Sequence, residues 1–175
     1  MRDFERFIVY PLLALLAWAS FSAHASPIVV DGVTAKVVTA EHYRLVDGAR
    51  RERGRLETSG EGVCALQLLA DDGTTRAALS LGGDGGASLM LLDNMGMGRV
   101  VLILFASGMS GLEFRDGTGR ERLGAIVSPD GTPTFRLMDR AGGGRVEMGV
   151  TQDGDGSVRI GGGDDTTLWS SPAMR

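Results

Sequence analysis

The stretch Leu112-Glu113-Phe114-Arg115-Asp116-Gly117-Thr118-Gly119, continuing through Arg122 to Val127 and closing on Ser128-Pro129-Asp130-Gly131, decides the fold. It reads as an apolar-x-apolar run, a glycine-bearing turn, an arginine, an alternating apolar run and an Asp-Gly turn. Apolar side chains at every second position describe a strand with one buried face. Asp-Gly pairs supply the positive φ that tight hairpin turns require. The stretch is therefore two strands and two turns.

The same pattern recurs at a fixed interval of 23. Tyr43, Leu66, Leu89, Leu112, Phe135 and Val158 keep that spacing, as do Leu45, Leu68, Leu91, Phe114, Leu137 and Ile160. An arginine column follows (Arg53, Arg76, Arg99, Arg122, Arg145), then a glycine column (Gly62, Gly85, Gly108, Gly131, Gly154). Five units and a truncated sixth run without insertion or deletion, the signature of a repeat architecture. Beyond the N-terminal segment, helix is excluded by the absence of 3.6-residue spacing and by glycine at about every eleventh position. The expected fold is all-β, an antiparallel meander of two-strand repeats forming a sandwich or barrel. A β-solenoid, one rung per unit with columns stacked in parallel, is the alternative. Val33 to Glu41 alternates loosely and is expected to add a first strand, and residues 161–175, with Trp169, to form a cap.

From Phe7 to Val30 no Asp, Glu, Lys or Arg occurs. As a helix this run would rise ~36 Å, more than the ~30 Å hydrocarbon thickness of a bilayer. Residues 7–30 thus predict one transmembrane helix and its exit, with Tyr10 and Trp18 as candidate anchors at the headgroup levels. Ala23-His24-Ala25 also fits a signal-peptidase site, but Asp3 and Glu5 beside Arg2 and Arg6 are unlike a positive signal n-region and favour a retained anchor. The resulting domain plan is a short cytoplasmic N-terminus (1–6), the membrane segment (7–30), a linker and first strand (31–42), the repeat domain (43–160) and the C-terminal cap or tail (161–175). The expected address is a bacterial inner membrane, crossed once, with the β domain in the periplasm and lipid as a partner of the helix.

Composition narrows the function. The chain has 175 residues, 27 of them glycine, about twice the usual ~7%. A net charge of -4, with a single lysine (Lys36) among 18 basic residues, leaves no footprint for nucleic acid. One cysteine, Cys64, and two histidines, His24 and His42, make no metal or haem site, so no cofactor is expected. The Asp and Arg columns bracket the same turn in four units (Asp47 with Arg53, Asp93 with Arg99, Asp116 with Arg122, Asp139 with Arg145), as cross-strand pairs would, whereas catalytic residues occur once. Gly82 to Gly86 and Asp153 to Gly156 lack the nine-residue recurrence of calcium repeats. No serine sits in a nucleophile elbow. The protein reads as a non-enzyme.

One unit departs from the pattern. Leu89-Met90-Leu91-Leu92 and Arg99-Val100-Val101-Leu102-Ile103-Leu104-Phe105 are apolar on both faces, with Met95, Met97 and Met109 in the adjoining turns. Met90, Met95, Met97, Val101, Ile103 and Met109 are the candidate partner-binding residues, because methionine-rich apolar surfaces suit adaptable contacts.

The phrase Val38-Thr39-Ala40-Glu41-His42-Tyr43-Arg44-Leu45-Val46-Asp47-Gly48, followed by L-x-L-x-D-x-x-G-x-x-R repeats, resembles bacterial membrane-anchored β-repeat proteins over about residues 33 to 160. The layout of one anchor and an all-β domain is also similar to that of accessory subunits of photosynthetic reaction-centre and light-harvesting complexes. The resemblance implies a non-catalytic scaffold that braces or bridges other subunits of an inner-membrane complex. A cell-envelope module recognising glycan or a surface partner is the alternative.

Overall fold

A computed structural model describes residues 33–162 and 166–171. The expected membrane helix, with Tyr10 and Trp18, and the signal site lie outside the described residues. Residues 1–39 and 40–175 are two separate units. Among the described residues no helix is long and apolar enough to cross a membrane.

The second unit is a meander of twelve strands: β1 (His42–Val46), β2 (Glu52–Thr58), β3 (Cys64–Leu69), β4 (Thr75–Leu81), β5 (Ala87–Leu92), β6 (Gly98–Leu104), β7 (Ser110–Arg115), β8 (Glu121–Val127), β9 (Pro133–Met138), β10 (Gly144–Val150), β11 (Gly156–Gly161) and β12 (Thr167–Ser171). They form a single antiparallel sheet in strict chain order. The parallel solenoid is thereby excluded. Residues 33–41 hold no strand, contrary to the alternation seen in the sequence, and part of the expected cap is instead the edge strand β12, paired with β11.

The ten turns that join β1 through β11 share one geometry. In the turn of residues 93–97, the Asp93 N–H donates to the Met97 carbonyl and the Gly96 N–H donates to the Asp93 carbonyl, with Gly96 at φ 76°. This is a three-residue loop: a type I turn followed by a left-handed residue that forms a bulge, a geometry that follows the right-handed twist of the flanking strands. The same bonds recur in all ten turns from Asp47 to Asp155. Glycine holds the left-handed position in nine of these ten turns, and in the first Arg50 sits there at φ 60°.

The period of 23 now has a structural cause. Six-residue and seven-residue strands alternate, as in β5 and β6, each followed by a five-residue turn. The extra residue is a β-bulge: Leu91 pairs with Val100 and Leu92 with Gly98, so Arg99 is left without an opposite residue. The equivalent pairings leave out Arg53, Arg76, Arg122 and Arg145. The arginine column is the bulge column.

The sheet does not close in the described residues: β1 and β12 are its two edges, where a sandwich or barrel was expected. The uniform five-residue turns explain why no second layer forms. Sandwiches pass strands between layers through longer corner connections, and this repeat provides none.

Register places one row, Tyr43, Leu56, Leu66, Leu79, Leu89, Leu102, Leu112, Ala125, Phe135, Met148, Val158 and Ser171, straight across one face. A second row, Leu45, Gly54, Leu68, Ala77, Leu91, Val100, Phe114, Leu123, Leu137, Val146, Ile160 and Trp169, lies beside it. Neither row contains an ionisable group except the Tyr43 phenol. The opposite face carries Arg44, Arg55, Gln67, Ala78, Met90, Val101, Glu113, Gly124, Arg136, Glu147, Arg159 and Ser170.

Candidate functional site

The apolar face is the dominant surface feature. Leu45, Leu79 and Leu102 are 58%, 53% and 52% exposed, and among the described residues only Leu69 and Val101 are buried hydrophobics. Monomeric soluble proteins rarely leave apolar patches larger than a few hundred Å² in contact with water. This face spans twelve strands. Toward one end it dips into a groove of about 640 Å³ bordered by Leu102, Ala125, Phe135, Met148 and Val158.

The Asp and Arg columns have a different role. Arg76, Arg99 and Arg122 each donate Nε–H to a main-chain carbonyl of the next hairpin, at Leu92 (2.9 Å), Arg115 (2.8 Å) and Met138 (2.9 Å). Arg145 reaches the carbonyl of Gly162 and Arg53 the carboxylate of Asp71. In Arg99, Arg122 and Arg145 the same guanidinium also pairs with the aspartate of its own turn, Asp93–Arg99 at 3.4 Å and Asp116–Arg122 at 3.5 Å, and Asp139 with Arg145. One cation thus ties a turn to itself and to the next hairpin. The ion pairs are half exposed and individually contribute only ~0.2–1 kcal/mol; the carbonyl bond adds geometric linkage between hairpins that are not directly paired at that point.

The turn aspartates are occupied by their own backbone. Asp116 Oδ1 accepts from the Thr118 N–H (2.9 Å), the Thr118 hydroxyl (2.6 Å) and the Arg120 N–H (3.3 Å). These bonds, led by the Thr118 hydroxyl, hold the Asp116 carboxyl down to about 2. Asp47, Asp93 and Asp139 are likewise lowered, led by the Arg51 N–H, the Met97 N–H and the Arg145 side chain respectively. Glu121 is pushed the other way, first by partial burial and then by the neighbouring Glu113. Among the described residues no three His, Cys, Asp or Glu side chains converge to hold a metal ion.

The candidate partner-binding residues do not form one patch. Met90 pairs with Val101, and Ile103 with Ser88, on the face opposite the leucine rows. Met95 and Met97 lie in the β5–β6 turn, and Met97 Cε reaches within 2.8 Å of the place a Cβ on Gly119 would take. Met109 closes the β6–β7 turn at the other end of β6, ~20 Å away at the ~3.4 Å rise of an antiparallel strand. Val101 is 5% exposed and Met95 80%. Alternation in the sequence marks the leucine rows as an apolar face without saying what covers it. The signal that was available is the uniform turn length, which leaves no connection long enough to build a covering layer.

No family model matches the sequence, and no curated protein matches it. Among solved structures, the TCP domain of SAS-4 from Drosophila melanogaster, determined in complex with a proline-rich motif of Ana2, aligns with 81% of this chain and 96% of its own at 11% identity and a TM-score of 0.21.

Proposed function

We propose that the chain is a non-catalytic, membrane-anchored scaffold subunit whose repeat sheet lies in the periplasm and bridges neighbouring subunits of a larger inner-membrane complex, a photosynthetic one being the assembly its layout resembles. The observation that carries the reading is the uncharged face left open across the sheet, with Leu69 and Val101 as the buried hydrophobics of the described residues. Such a face gains ~25 cal/mol per Å² on being covered and has nothing to offer a reaction. The bulge arginines support the same reading: they are engaged in tying hairpins together, which gives a scaffold its regular shape and leaves little charge to recognise an anionic glycan.

The test is gentle detergent solubilisation followed by identification of what co-migrates with the intact protein, repeated at low and high salt. Contact through the uncharged face survives high ionic strength, since apolar burial is not screened. Loss of all co-migrating subunits at high salt would favour the glycan-type or charge-led alternative. A mature mass beginning at Ser26 would remove the anchor and with it the membrane part of the reading.

A further inference from the structure

We infer that the occupant of the leucine face is the same face of a second copy of this chain, so that the scaffold works as a two-fold symmetric pair of stacked sheets. The inference rests on the scaffold reading and names its partner.

A bilayer, the apolar segment of residues 7–30 or a second copy could cover the face, and a different protein is an outcome the experiment below separates. At ~4.8 Å between strands and ~3.3 Å per residue, twelve strands of about six residues present ~1,100 Å². A single helix ~10 Å wide and ~36 Å long covers about a third of that. A flat bilayer surface does not match a sheet of ordinary twist, which turns by ~20° from each strand to the next. A second copy carries the same twist, the same area and the same absence of charge, and aligned sheets pack face to face ~10 Å apart. Pairing only the six central strands already buries over ~1,000 Å² in total, enough for a specific interface, and pairing all of them reaches the size of a standard one. Self-complementarity is a requirement of an isologous interface, and two uncharged rows of leucines meet it from either side.

The two-fold axis of a twelve-stranded pair falls at the middle of the sheet, between β6 and β7, where Leu102 is opposite Leu112. Leu102, 52% exposed, is therefore the position at which one copy meets the other. Ala78, on the opposite face, is the control.

The experiment uses the full chain in mild detergent. Wild type is expected to sediment at twice the chain mass and Leu102→Glu at half the wild-type mass, with the strand signal in circular dichroism unchanged; Ala78→Glu is expected to stay at the wild-type mass. A second arm does not depend on that variant's solubility: Leu102→Cys in a Cys64→Ser background, labelled with benzophenone maleimide and irradiated, should attach to a leucine-row peptide of a second copy at double mass. Attachment to residues 7–30 within a chain of single mass, to lipid, or to a different polypeptide each overturns the pair; the last of these leaves the scaffold reading standing. A wild type of single mass with no attachment to any polypeptide overturns both.

Discussion

Arg99 lies 2.8 Å, through its Nε, from the main-chain carbonyl of Arg115, sixteen residues on, while its Nη1 lies 3.4 Å from Asp93 in its own turn. The bulge that lengthens β6 by one residue is what frees Arg99 to make this link, because a residue with no opposite partner can turn its side chain along the sheet end. Arg99→Lys keeps the charge but cannot serve both acceptors through a planar fork. It should lower the stability of the protein by about 1 kcal/mol, nearly as much as Arg99→Ala, in chemical denaturation. A lysine variant as stable as wild type would show that charge alone suffices.

Arg50 is the non-glycine residue at the left-handed turn position. The clash of its Cβ with the following carbonyl costs about 1 kcal/mol that glycine would not incur. Arg50→Gly is expected to raise the melting temperature, and Gly108→Ala, at φ 88°, to lower it. The pair of opposite shifts is the check.

The turn carboxylates set the response to acid. Asp116, Asp47, Asp93 and Asp139 have folded values below their unfolded ones. Their contribution is therefore complete above the unfolded value near ~4 and is lost as pH falls toward about 2. Melting temperature should be level above pH ~5 and drop steeply from ~4 to ~2. Asp116→Asn should make that drop shallower, because one titrating group is gone.

Glycines on the polar face differ in what surrounds them. A Cβ on Gly149 would stand 2.9 Å from the Pro133 carbonyl oxygen, which is fixed backbone, whereas on Gly124 it would meet the mobile Glu121 carboxylate. Gly149→Ala should cost ~1–3 kcal/mol. Gly124→Ala should be close to neutral, with Glu121 rotating away. Equal losses in a denaturation series would contradict the distinction.

Val101 and Met95 separate packing from docking within the unusual third repeat. Val101, 5% exposed, is internal to the sheet's polar face, so Val101→Ser should lower stability by ~1–3 kcal/mol. Met95, 80% exposed, should tolerate serine within ~0.5 kcal/mol. Thermal melts of the two variants decide whether the apolar third unit is a packing feature, as Val101 indicates, or a free surface.

What the amino-acid sequence determined by itself was everything encoded within one hairpin. Asp116-Gly117-Thr118-Gly119 dictates its turn because the carboxylate, the threonine and the left-handed glycine act on their own backbone. The spacing of Leu112, Phe114 and Leu123 dictates which face each side chain takes, because strand geometry has period two. The antiparallel meander follows, since each strand meets its neighbour in sequence. Three things were decided only by the tertiary structure. The acceptor of Arg99 is a carbonyl in another hairpin, Val101 is buried by neighbours from two other strands, and among the described residues the leucine rows remain uncovered because the sheet neither closes nor doubles back. Each depends on how successive hairpins are placed against one another, and that placement arises from accumulated twist and register across the sheet, which no single repeat contains.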